Sequence, residues 1–290
     1  MNIALESGAI IRGDGILSAV IRYDLVPVPA TLEVTCRLDE GILPHIAEGK
    51  TVISGRYDEK YRIVKFGINN LPQTTQGARP FATASFLAIL ESVHKIAFLQ
   101  STATIKDSSS FGTIYRACGA TTKVLSDLPV GAFACFAGDH PAKHIARLLQ
   151  EESAVVAFDG KGIGFYRIAD LMQRKPVRVL DTDTTESLTS EFVVRHEVPG
   201  LYGRKDIGGI EKGETESVRR LDYNPTLDKR ALTNASKCLI NRKKMRIDFA
   251  PDLMAGDILD IAGSKQAIIT AAHAWSAKEA YSLLWLGSPS

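Results

Sequence analysis

Cysteine pairs, long apolar runs, an excess of one charge and clustered histidines are what this chain of 290 residues has least of. Its four cysteines, Cys36, Cys118, Cys135 and Cys238, share no CxxC spacing and sit among apolar neighbours. That argues against a disulfide framework and a zinc site, and the expectation is free thiols in a core. No apolar run approaches the ~20 residues that span a bilayer, so no membrane partner is expected. The start, Met1 to Gly8, lacks a basic segment and a long apolar one, so no secretory signal is expected and assembly in a cytoplasm is. Thirty-five Lys and Arg against 33 Asp and Glu leave a net charge of +2, which excludes a polycation.

A hydrophobic fraction of 45% is that of a globular chain rather than a disordered one. The length admits two or three domains. The stretch from Met245 to Gly287 is the most patterned. Met245, Ile247 and Phe249 alternate with Arg246 and Asp248, the period of a half-buried strand. Ile258–Ile261, Ile268–Trp275 and Tyr281–Leu286 supply three more short strands, separated by Ala255-Gly256-Asp257 and Gly263-Ser264-Lys265. Four strands and tight turns predict a meander that closes as a barrel or packs as a sandwich.

Residues 1–78 also read as strands. Gly13-Asp14-Gly15 turns the chain between Ala9-Ile10-Ile11 and the run from Ile16 to Leu25. In Thr31–Leu38, Leu32, Val34, Cys36 and Leu38 point one way and Glu33, Thr35 and Arg37 the other. Thr51–Ser54 and Tyr61–Val64 flank a polar turn at Asp58-Glu59. Over 82–98 the spacing of Phe86, Leu90, Val93 and Ala97 predicts an amphipathic helix. The centre mixes types. Ser108 to Ser110 can cap a helix that stops at Gly119. Ala132–Phe136 is an apolar strand, and Pro141 opens a helix to about Glu152 with Ile145, Leu148 and Leu149 on its apolar face. Ala154–Phe158 and Ile163–Tyr166 form a hairpin, and Ile168–Met172 a short helix. The polar stretch Asp181–Ser190 marks a boundary. Beyond it, Glu191–Val198 and 215–222 read as strands, Pro199–Glu214 as an exposed glycine-rich loop, and 228–240 as a helix. The fold class expected is mainly β with an α+β centre: a first β-barrel with its trailing helix over 1–98, a mixed subdomain over 99–184 and a second barrel over 185–290.

Catalytic signatures fare poorly. His140 and His144 stand four apart, but Pro141 occupies the place where a zincin carries its glutamate. Gly160-x-Gly162-x-Gly164 joins two strands rather than a strand and a helix, so it reads as a hairpin turn. No serine has the G-x-S-x-G setting. His273, between alanines on a strand, reads as a core or interface histidine. No catalytic residue, cofactor site or metal site is expected. Two interface candidates remain. Trp275, Tyr281 and Trp285 exceed what a small barrel interior readily holds, so some must face outward. From Arg204 to Arg246 there are twelve Lys or Arg against six Asp or Glu, densest at Arg242, Lys243, Lys244 and Arg246. Such a cluster suits an acidic protein face better than specific nucleic-acid recognition.

Three blocks together resemble the baseplate hub proteins of contractile-tailed phages, which are related to the late-control proteins and to the N-terminal part of VgrG spikes. The first is Gly13-Asp14-Gly15 with Tyr23-Asp24-Leu25-Val26-Pro27-Val28-Pro29 and Tyr61-Arg62-Ile63-Val64. The second is Phe136-Ala137-Gly138-Asp139-His140-Pro141 with Ile145–Glu152 and the hairpin over Val155–Tyr166. The third is Ala255–Ile261 through Trp275 to Trp285-Leu286-Gly287. The resemblance implies a homotrimer with two barrel-like tube domains per chain. It would join a three-fold central spike protein to a six-fold tail tube or its tube-initiator proteins. Baseplate wedge proteins and a tape measure protein are further implied partners, and the virion tail the implied location. A tail-tip enzyme, a peptidoglycan hydrolase or peptidase, is the alternative, and a nucleic-acid-binding module a third.

Overall fold

Strands carry this protein. The computed structural model describes residues 1–38, 41–70, 82–190, 200–205, 208–213, 220–225 and 227–290. Its N-terminal part runs β1 (Ile3–Leu5), β2 (Ile10–Ile11), β3 (Ile16–Asp24), β4 (Ala30–Arg37), β5 (Thr51–Ser54), β6 (Glu59–Asn70) and β7 (Ala82–Leu90). The centre holds β8 (Thr104–Ser110), α1 (Phe111–Ala117), β9 (Val124–Ser126), β10 (Pro129–Cys135), α2 (Pro141–Glu151), β11 (Ala154–Phe158), β12 (Ile163–Arg167) and α3 (Ile168–Met172). There follow β13 (Arg178–Leu180), β14 (Glu186–Ser187), β15 (Gly200–Arg204), β16 (Ile210–Lys212), β17 (Leu221–Tyr223) and α4 (Lys229–Ala235). The chain ends on β18 (Leu239–Asp248), β19 (Ile258–Ile261), β20 (Ser264–Trp275) and β21 (Ala280–Pro289).

Alternation decides the β-rich ends. In β4, Leu32, Val34 and Cys36 are buried while Glu33 and Arg37 are exposed, as the period of two demands. Each such aliphatic contributes about 1.5–3 kcal/mol by leaving water. β7 corrects the expected helix over 82–98. Ala84, Phe86, Ala88 and Leu90 also alternate, and all four are buried. Phe86 and Leu90 fit both periods, and pairing with β4 on one side and β6 on the other settles which is used. Only Glu91–Ala97 winds, as a 3-10 helix burying Val93 and Ile96.

The two ends meet in one 13-stranded sheet. Its order is β14-β18-β21-β20-β3-β4-β7-β6-β5-β1-β2, with β19 and β13 branching from β20. β3 and β20 pair antiparallel from Thr270↔Asp24 to Trp275↔Ala19. This seam joins halves expected as separate barrels, and among the described residues the strand path is open. The inner face near the seam buries Ile21, Tyr23, Ala271, His273 and Trp275.

The centre follows its local signals. Ser110 caps α1, its hydroxyl accepting from the Thr113 N–H. Pro141 opens α2, which buries Ile145, Leu148 and Leu149. β11 and β12 pair from Ala154↔Arg167 to Phe158↔Ile163. Phe111 stacks on Phe165 with centroids 5.0 Å apart, and the Tyr115 hydroxyl donates to the Pro27 carbonyl at 3.0 Å, tying centre to N-terminal part.

Residues 200–213 overturn the expected loop. β15 pairs with β16 and β17, and Leu201, Leu227, Ala231, Leu232 and Ala235 form a small separate core between this sheet and α4. Gly203 explains why glycine-rich sequence forms strand here: a Cβ would lie 2.7 Å from the Asn224 carbonyl oxygen. The helix expected over 228–240 ends at Ala235, and β18 begins at Leu239. The strand expected over Glu191–Val198 lies outside the described residues, as does most of 215–222.

Candidate interaction surface

The register assigns one face of the great sheet residue by residue. Lys244, Arg246 and Asp248 of β18 stand opposite Trp285, Leu283 and Tyr281 of β21. The row continues through Thr270, Ala272 and Ala274, then Asp24, Arg22 and Val20, and on to Thr31, Glu33 and Thr35. It thus crosses the seam. Tyr281, Leu283 and Trp285 are part-exposed. Trp285 stands between two cations: the Arg22 guanidinium lies 6.0 Å and the Lys244 ammonium 5.7 Å from its ring centroid. Arg246 lies 3.8 Å over the Tyr281 ring and pairs with Glu279 at 3.0 Å. Two shallow hollows mark this face, about 230 Å³ beside Trp285 and about 390 Å³ over β4, β6 and β7.

Trp275 is corrected as a surface candidate. It pairs with Ala280, so its parity is that of Ser282, Leu284 and Leu286, and it is only 7% exposed. It packs edge-on against Phe249, with centroids 6.4 Å apart. The basic run is divided rather than continuous. Lys244 and Arg246 share the Trp285 face. Arg242 sits at the β18 bulge, and Lys243, opposite Leu286, forms an ion pair with Asp183. Lys243 and Thr185 hold the Asp183 carboxyl well below the usual range. The outer face also carries Asp24, Glu33 and Asp248, so its charge is mixed. A uniform cationic track for phosphates is not what the residues form.

The histidines have structural partners. His140 and His144 turn to different partners: His140 Nδ1 lies 3.0 Å from the Ala97 carbonyl oxygen, whereas His144 Nε2 lies 2.7 Å from Asp139 Oδ2. Among the described residues, no three His, Cys, Asp or Glu side chains converge on a metal position. His273 is fully buried in a closed relay. The Ala250 N–H donates to Ser282 Oγ at 2.8 Å, Ser282 Oγ lies 2.8 Å from His273 Nδ1, and His273 Nε2 lies 2.9 Å from the Leu253 carbonyl. Nε2 must donate to that carbonyl, so Nδ1 accepts from the serine. Burial lowers the His273 pKa and favours this neutral form. Cys36, Cys118 and Cys135 are buried free thiols and Cys238 is part-buried. Burial pushes Cys118 up to about 11, which suppresses the thiolate. Among the described residues no helix is long and apolar enough to cross a membrane.

No protein-family model and no curated protein matches the sequence. Solved structures do. A 43 kDa tail protein of prophage MuSo2 from Shewanella oneidensis superposes with a TM-score of 0.68 at 11% identity, over 99% of this chain and 98% of that one. A tail protein from Neisseria meningitidis gives 0.64 at 9% identity, over 99% and 95%. An Escherichia coli component of the type VI secretion system, structurally similar to the T4 bacteriophage tail proteins gp27 and gp5, gives 0.55 at 12%, over 95% and 74%. Over nearly its whole length this chain therefore shares the fold of these proteins.

Proposed function

We propose that the protein is the structural baseplate hub of a phage contractile tail, a homotrimer joining a three-fold central spike to a six-fold tail tube. The observation that carries this reading is the likeness to a prophage tail protein over nearly the whole of both chains, 99% of this chain on 98% of the other. A likeness of that extent covers both β-rich ends and the centre, rather than one common module. The seam supports it further. Each chain offers two β-rich halves locked side by side, so three chains in a closed ring present six quasi-equivalent units to the tube. We assign 1–98 and 185–290 to these tube-like units and 99–184 to the mixed subdomain between them.

In this assembly the spike protein binds on one side of the ring and the tube or tube-initiator proteins on the other. Wedge proteins and the tape measure protein are the remaining partners, and the ring assembles in the host cytoplasm before it joins the virion. Trp285 and Tyr281, with Lys244 and Arg246 above them, are the residues we place at a contact between chains. Aromatic side chains and arginine are the anchors such contacts favour. The role is mechanical, and no cofactor is part of it. The test is the mass and shape of the purified chain in solution: a three-fold ring supports the hub, and a compact monomer overturns it.

A further inference from the structure

Glu59 opens β6, and only 5% of it is exposed. Among the described residues it forms no ion pair. One carboxyl oxygen accepts from the Tyr23 hydroxyl at 3.1 Å, and the other from the Tyr57 N–H at a long 3.4 Å. The Tyr61 hydroxyl, also fully buried, makes no hydrogen bond to it. Two neutral donors do little to replace the water that an ionised carboxylate loses on burial. Burial accordingly raises the Glu59 pKa above its ordinary value, and the like charge of Asp58 adds to the rise.

The same carboxyl group props the β5–β6 turn. The oxygen that receives the Tyr57 N–H also fills the space a Cβ would need at Gly55, whose φ is +95°. Tyr57 in turn rests its ring on Gly160, whose φ is +87° and where a Cβ would run into that ring. On its other side Glu59 is part of the wall of a groove of about 520 Å³. Lys60 of β6, Lys95 of the 3-10 helix after β7, Lys123 beyond α1 and Lys161 of the β11–β12 turn stand around this groove. All four are exposed, and none forms an ion pair among the described residues. The other titratable groups of the lining are engaged or open to water. Glu91 is bound to Arg62 at 2.6 Å, His94 Nδ1 lies 2.6 Å from the Glu91 carbonyl oxygen, and Asp58 is exposed. On the core side the Tyr23 ring separates Glu59 from His273, with ring centroids 5.8 Å apart, and His273 is neutral.

We propose that Glu59 is a proton-controlled latch: protonated, it stays beneath the β5–β6 turn, and ionised, it rotates outward toward the groove lysines and frees Tyr57 from Gly160. The interior offers the charged form no cation, whereas the groove offers four without partners. The sign follows from linkage. An acid that holds its proton more tightly in the fold stabilises the inward state fully below its ordinary value of 4.5. That stabilisation is lost as pH rises through the higher folded value. The latch goes beyond the hub reading, because it requires neither a trimer nor a spike.

The experiment follows hydrogen exchange of the β5–β6 turn by mass spectrometry on the full chain from pH 5.5 to 8.5, with rates corrected for the intrinsic effect of pH. Protection of the turn in the wild type should fall by about tenfold or more across that range. Glu59→Gln keeps the shape and the hydrogen bonds of the protonated acid, and its protection should stay constant. Lys60→Gln with Lys123→Gln should move the midpoint of the fall to higher pH, because the outward carboxylate then meets fewer cations. Lys265→Gln with Lys278→Gln, exposed and outside the groove, should leave the midpoint in place. Urea unfolding of each variant at pH 5.5 keeps local opening separate from a loss of fold. The proposal is overturned if wild-type protection is constant with pH or if Glu59→Gln shows the same fall. It is equally overturned if removing the two groove lysines moves the midpoint no more than the control pair does.

Discussion

The hydroxyl of Thr270 donates to the carboxylate of Asp24 at 2.5 Å, joining residues 246 apart in the chain. Arg22 holds the same carboxylate at 2.9 Å. These contacts lie on the outer face of the β3–β20 seam, where the two ends of the protein become one sheet. A charge-assisted hydrogen bond of this kind is worth about 1.5–3 kcal/mol. Thr270→Val should therefore lower unfolding stability by about 1–2 kcal/mol in a urea titration. If the halves unfold as one unit, a single transition shifts. Two separated transitions would show that the seam is not cooperative.

The His273 relay sets a pH dependence. Its folded pKa lies below the ordinary value of 6.5 because burial disfavours the charged ring. The unfolded chain therefore takes up protons first as pH falls. The stabilisation is present above 6.5 and is lost as pH drops from there toward the folded pKa. His273→Gln should be less stable at pH 7.5, by about 1–3 kcal/mol for the partners it leaves unsatisfied. Its stability should also fall less than that of the wild type between pH 7.5 and 5.5. Parallel denaturation curves at the two pH values decide this, and equal slopes would remove His273 as the titrating group.

Gly287 is a packing glycine. A Cβ there would lie 2.2 Å from the Ile240 carbonyl oxygen and 2.5 Å from Ile269 Cδ1. Gly287→Ala should force β18 away from β21 and cost about 1–3 kcal/mol. Thermal unfolding measures it, and an unchanged midpoint would mean the bulge at Asn241 absorbs the methyl.

The two tryptophans should separate folding from assembly. Trp275→Ala opens a cavity in the core and should cost about 3–5 kcal/mol. Trp285→Ala, on the outer face, should leave the fold intact and give a species of lower mass. If Trp285→Ala keeps the wild-type mass while remaining folded, the contact between chains lies elsewhere.

Much of this was legible in the chain. The helix capped by Ser110 and the helix opened by Pro141 occur where their local signals put them, because a cap or a proline acts on its own turn. The alternation of Leu32, Val34 and Cys36 is likewise a property of one strand. What depended on distant partners was not legible. Phe86 and Leu90 satisfy a helix and a strand equally, and β4 and β6 choose between them. The glycines of 200–213 suggest a loop until Leu232 and the Asn224 carbonyl occupy the space a side chain would need. The interface candidates divide for the same reason. Trp275 and Trp285 look alike in sequence, and only the register of β20 on β21 turns one inward and the other outward.

The central claim is the trimeric hub, and the most direct test is the mass of the purified chain by light scattering, with a low-resolution image of the same peak. A mass near three times 31.5 kDa and a three-fold ring with a central channel are the predicted result. A compact monomer that persists as concentration is raised would contradict it.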